Sequence, residues 1–304
     1  MTVLHPAPAP PSPTTASRVL RGVAVACVAA LAATAVGLLL DDRTITGAPA
    51  WLKPAKFAVS IAVYCATLAW VLRQVTGHRR AVAAIAWTTG VALVVELLLI
   101  GLQVARGTTS HFNDDTPFDA AVFSAMGGFV ALVFLAAAAA AVLLLRQRGL
   151  PRTLAAGLRG GLLVSLLGMA EAGLMLANRT ATAAGAHTVG APDGGPGLPV
   201  TGWSTAAGDL RVAHFAGLHG LQVLLLLAWA LHRWAPGLAD RTAARLVTVA
   251  SAGYAGGVVL LAWQALRGLP LLRPDTAVGL AALGWALAVA VAGGLVLRRR
   301  AVAA

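Results

Sequence analysis

About eight runs of roughly twenty apolar residues divide this chain, and they leave few choices of fold. They are Val19 to Leu40, Ala55 to Val75, Ala81 to Ala105, Phe118 to Leu145, Thr153 to Leu176, Val212 to Leu231, Ala243 to Leu266 and Thr276 to Leu297. Each is long enough to cross a hydrocarbon core as an α-helix, which needs about 20 residues. Their continuity and their Ala and Leu content exclude the alternating pattern of a barrel strand. With 59% hydrophobic and 11% charged residues, the composition sits far from that of a soluble domain. The expected fold is all-α, a polytopic membrane bundle of about eight transmembrane helices.

The cations predict an orientation, because Lys and Arg near span ends are retained on the cytoplasmic side. With the N-terminus inside, 15 cations fall on the cytoplasmic side and 8 outside. Both termini are therefore expected in the cytoplasm of a multi-pass protein of the cell membrane. The net charge of +12 reads as this orientation signal rather than as a nucleic-acid footprint. The proline-rich residues 1–17 are expected to form a disordered tail. Residues 18–304 then make one transmembrane domain, with a long extracytoplasmic loop at about 178–211. Ala33-Thr34-Ala35 resembles a cleavage site, but the run that contains it is longer than a signal-peptide core. Cys27 and Cys65, inside spans, read as packing residues.

Polar residues inside the spans mark the candidate site, since an acid at a helix centre costs about 2.5–3.5 kcal/mol on insertion scales. Glu96, Glu171 and His219 fall roughly 10–14 Å in from the outer ends of their helices, which predicts one shared layer. Gln103 lies seven residues after Glu96 and Asn178 seven after Glu171, so each pair shares a face, with Arg106 nearby. His214, His219 and Gln222 fall within an arc of about 140°. Of the 23 cations only Lys53 and Lys56 are lysines, which suggests a need for a compact ammonium at the outer start of the second span.

Four functional readings follow. A transporter or proton-coupled carrier of a small molecule or ion would use the buried acids and His219 as a relay, and is narrowly preferred. A haem protein is suggested by His219 and His232, 13 residues apart on one span, with His78 at a cytoplasmic end. A metal-dependent hydrolase or transferase would draw on His111, His187, His214 or His219 with Glu171 or an outer Asp, although no HExxH sequence occurs. A non-enzymatic assembly or sensory role would leave these groups as interhelical ties, with Gly157 and Gly161, and Gly253 and Gly257, at close crossings. Neither a cofactor, nor a substrate, nor an oligomeric state is legible.

One resemblance is carried by the run His187 to Pro199, then Trp203-Ser204-Thr205, Gly208-Asp209-Leu210-Arg211, His214-Phe215, Gly217-Leu218-His219 and Gln222. It extends back through Lys53-Pro54, Lys56-Phe57, Arg106-Gly107, Ser110-His111-Phe112-Asn113 and Asp119. This pattern resembles a family of uncharacterised bacterial multi-span integral membrane proteins. The resemblance implies a membrane bundle and carries no activity or catalytic residue.

Overall fold

The computed structural model describes residues 14–179 and 184–301. Among the described residues, eight helices are long and apolar enough to cross a membrane. In chain order they are α1 (Thr15–Leu40), α2 (Leu52–Leu72), α3 (Arg79–Ala105), α4 (Pro117–Arg146), α5 (Arg152–Ala170) continued by the short α6 (Ala172–Ala177), α7 (Leu210–Trp234), α8 (Asp240–Leu266) and α9 (Thr276–Ala301). Two small antiparallel pairs complete the fold: β1 (Thr44–Ile45) with β2 (Ala48–Pro49), and β3 (Thr188–Val189) with β4 (Gly208–Asp209). The chain is an all-α integral membrane protein. Most of the expected tail lies outside the described residues. Its last part does not: Thr14 caps α1 by accepting from the Ser17 amide, so this helix begins at Thr15, four residues before the expected run from Val19.

The bundle is built as two halves. In one, α1 packs on α2 and α3, and α3 on α4; in the other, α5 packs on α7 and α8, α7 on α8, and α8 on α9. Separate aliphatic cores fill them, around Leu20, Cys65 and Leu68 in the first and Val164, Leu224 and Val258 in the second. Cys27 and Cys65 are both buried and free, in keeping with a packing role. A third cluster of Val71, Ala141, Leu144, Leu158, Leu162 and Leu221 joins the halves.

Glycine sets the tightest contacts, since a helix without a Cβ lets a neighbouring backbone approach. A Cβ on Gly168 would collide with the backbone of Gly217 and Leu218, and one on Gly161 would meet Leu221. Gly157 faces Ala228 and Leu224, so both expected crossing glycines of α5 lie against α7. On α8, Gly253 touches Val289 of α9, whereas Gly257 has open space beside it and makes no crossing.

The ends of the bundle differ. One carries the short connections with their arginines; the other carries residues 107–116 and the long connection between α6 and α7. This second, loop end is closed by an ordered cap. Asn178 donates to the carbonyls of Ala186 and Thr188, Lys56 to that of Thr201, and Arg211 to that of Gly202. A Cβ on Gly208 would strike the Ala265 carbonyl, so the cap backbone rests directly on α8.

Candidate functional site

His111 is aimed inward by the turn that follows α3. Gly107 takes a left-handed conformation (φ +76°), and the amide of Thr108 returns to the Gln103 carbonyl, which closes the helix. Asn113 then donates to the Thr109 carbonyl and the Thr108 hydroxyl and accepts from the Asp115 amide, folding the loop back on itself. His111 lands beside Phe57 and Phe112, at ring-centroid distances of 5.7 and 6.2 Å. Its Nδ1 lies 3.0 Å from the Ser110 hydroxyl, and its Nε2 lies 3.8 Å from Oε1 of Glu96.

The cap supplies a second imidazole. His187 Nδ1 is 2.7 Å from Oδ2 of Asp193, and the Asp193 carboxylate also accepts the amides of His187 and Thr188. An ionised carboxylate only accepts, so Nδ1 carries the proton and Nε2 keeps its lone pair. The ring of His187 stands 6.5 Å from that of His111 and 4.9 Å from that of Phe112. The third imidazole, His214 on α7, donates Nδ1 at 2.7 Å to the carbonyl of Gly168, which fixes the same tautomer.

Lys53 completes the cluster, within electrostatic reach of Glu96, Arg211, Lys56 and Asp193. Burial pushes the His111 pKa well below the usual imidazole value, with Lys53, His187 and His214 acting in the same direction. Burial also lowers that of His187, against the opposing pull of Asp193. For Asp193, burial acts upward but is outweighed by the His187 hydrogen bond and charge, so its carboxyl is held well below the ordinary range. Around neutral pH the site thus presents two neutral imidazoles and an aspartate anion.

Glu96 is 2% exposed, yet neither of its carboxylate oxygens has a hydrogen-bond partner among the described residues. A buried polar group left in this state calls for a specific explanation, such as a proton or a ligand. The cluster lies where the halves meet, with Lys53 and Glu96 from the first and His214 and the cap from the second.

Other expected members lie elsewhere. His219 is exposed on α7, turned away from the interior in which Glu96 is buried. It follows His214 by five residues, about 140° of helical rotation, so a helix that turns His214 into α5 turns His219 away. Glu171 is buried at the break between α5 and α6, and its Oε2 has no hydrogen-bond partner among the described residues. Gln103 and Arg106 turn to Asp119 on α4, at 2.8 and 3.1 Å, and form a tie between α3 and α4. Asn178 holds the cap, Lys56 does likewise, and Gln222 reaches the Thr67 hydroxyl of α2 at 3.4 Å.

For metal, His111, His187 and His214 do converge, but no three His, Cys, Asp or Glu side chains among the described residues stand close enough to share an ion. For haem, His219 and His232 are both exposed, and His78 sits in the turn before α3, so these three form no facing pair in the interior among the described residues. Asp193 and Ser110 join the site from the loops, although neither is among the sequence's candidate site residues. The sequence signal for Asp193 is its place in the Ala191-Pro192-Asp193-Gly194-Gly195 turn, six residues after His187.

No protein-family model, curated protein or solved structure matches the chain.

Proposed function

We propose that the protein is a proton-coupled carrier of a small molecule or ion, in which Glu96 and His111 exchange the coupled proton at the junction of the two halves. The observation that carries this reading is the unpartnered Glu96 carboxylate, 3.8 Å from a neutral imidazole nitrogen. A group that alternates between protonated and ionised states must not be tied permanently in either, and ionisable residues inside spans commonly serve such relays. Two packed halves joined by an aliphatic cluster below a polar junction are also the form in which rocking motions expose a site. The cation asymmetry supports cytoplasmic termini, an outward-facing cap and residence in the cell membrane. The family of bacterial multi-span proteins named above is the proposed kinship.

The test is infrared difference spectroscopy of the carboxyl band during a pH jump, paired with current recordings on reconstituted vesicles challenged with inorganic phosphate, monocarboxylates, amino acids and alkali cations. A protonation signal that disappears in Glu96→Gln, together with a pH-dependent current lost in the same variant, is the expected result. A carboxyl signal and current unchanged by Glu96→Gln would overturn the relay.

A second reading is favoured by the His187–Asp193 pair, because a carboxylate that fixes an imidazole tautomer also makes a general base. In that case the protein is a membrane hydrolase or transferase. Asp193→Asn would then abolish turnover, while leaving the Glu96 carboxyl signal in place.

A further inference from the structure

At the opposite end of the molecule, α5 and α8 separate beside their contact at Gly160 and Ser251 and leave a recess of about 790 Å³. Its mouth carries Arg148, Arg152 and Arg159. None of the three forms a salt bridge among the described residues. Asp240 is the only acid at this end among the described residues, and its carboxylate is already engaged by the amides of Arg152 and Thr153 and by the Thr153 hydroxyl. Arg159 is held in place, donating to the carbonyls of Leu144 and Gln147 where α4 ends.

Below the arginines the wall turns mostly apolar, and the Thr248 and Ser251 hydroxyls on α8 donate to carbonyls of their own helix. Ala156 and Leu163 on α5 face Ala252 and Ala255 on α8, and Leu163 lies about 16 Å along the helix from Arg152. This stretch belongs to membrane-crossing helices, and Leu163 is 51% exposed. A cationic rim above an apolar channel that opens sideways is complementary to a molecule with an anionic head and a hydrocarbon tail. A soluble anion would use only the rim.

We propose that this recess binds an anionic phospholipid of the adjoining leaflet, its phosphate held by Arg148 and Arg152 beside Arg159, and one acyl chain lying along Ala156, Leu163 and Ala252. Basic recesses between spanning helices suit such headgroups.

Two variants separate head from tail. Arg148→Ala/Arg152→Ala removes exposed charges, and Ala252→Trp fills the channel while keeping them. Phosphatidylglycerol, phosphatidylcholine and inorganic phosphate are titrated into detergent-purified protein, with retention read by native mass spectrometry and thermal unfolding. Phosphatidylglycerol is expected to be retained and to raise the unfolding temperature, with phosphatidylcholine and phosphate having little effect. The double arginine variant is expected to weaken retention about tenfold to thirtyfold. Ala252→Trp is expected to weaken it too while unfolding at the wild-type temperature without lipid. Equal retention of phosphatidylcholine, competition by inorganic phosphate at comparable concentration, or indifference to both variants would overturn the proposal.

Discussion

The Nδ1 of His214 donates to the carbonyl oxygen of Gly168 at 2.7 Å, and Gly168 is also the residue at which α5 and α7 come together backbone to backbone. One position therefore sets both the closeness of these helices and the tautomer of an imidazole in the site. Moving the α5 backbone would displace the imidazole as well.

Gly168→Ala tests this directly. Its Cβ would overlap the Gly217 and Leu218 backbone, neither of which can swing aside as a side chain does. The variant is expected to lose about 1–3 kcal/mol of stability, the usual cost of overpacking. Thermal unfolding in detergent measures it. Gly173→Ala, which meets only open space, is the control that should unfold close to wild type.

Asp209 caps α7 by accepting the Arg211 amide, takes the Ser204 amide, and pairs with the Arg211 guanidinium while only 2% exposed. Asp209→Ala would leave that guanidinium without its carboxylate. The guanidinium is 23% exposed and keeps the Gly202 carbonyl, so the loss is about 1–3 kcal/mol, that of an unsatisfied polar group. The cap should become open to limited proteolysis between residues 184 and 209 at a protease concentration that leaves the wild type intact.

The cap should also loosen in acid. His187 in the cap and His111 in the adjoining loop both have lowered pKa values in the folded state, so the opened cap binds protons that the closed one does not, and stability falls with decreasing pH. Their contribution is full above the ordinary imidazole value of about 6.5 and is lost progressively as pH falls from there toward the lowered folded values. Asp193, also lowered, has the same sign but acts below about pH 4. Hydrogen exchange of residues 184–209 between pH 8 and pH 5 should show accelerating opening, and His111→Gln should reduce its dependence on pH.

Glu171→Gln distinguishes the cluster described here from the shared layer expected of Glu96, Glu171 and His219. Glu171 lies at the helix break, with Oε2 unpartnered among the described residues. Any pH-dependent current abolished by Glu96→Gln should survive Glu171→Gln, and the same holds for His219→Ala. Loss of current in Glu171→Gln with the fold intact would return Glu171 to the site.

The spanning helices were legible because membrane length and hydropathy act on each segment separately. Glu96 was legible for a related reason: burying a carboxylate in an apolar run is costly wherever its neighbours lie. Rotational phase was not. The buried stripe of α7 runs through Ala213, Gly217, Gly220, Leu221, Leu224 and Ala228, and its small members mark the face that meets α5. That stripe, more than the polar positions, decides that His214 points inward and His219 outward. The partners of His111 and His187 were also beyond reach, because they depend on where two loops fold back. The single turn that joins His187 to Asp193 reads as flexible punctuation until its backbone conformation is known.

Because the cap is fastened to α2 through Lys56, to α7 through Arg211 and to α8 through Gly208, it bridges both sides of the molecule. A lid hinged on one side could swing while the helices beneath stayed still. A lid stitched on both sides has no such freedom. Access to the imidazoles from above and relative motion of the helix groups must therefore proceed as one coordinated movement, whose pace is set by how fast those fastenings exchange partners.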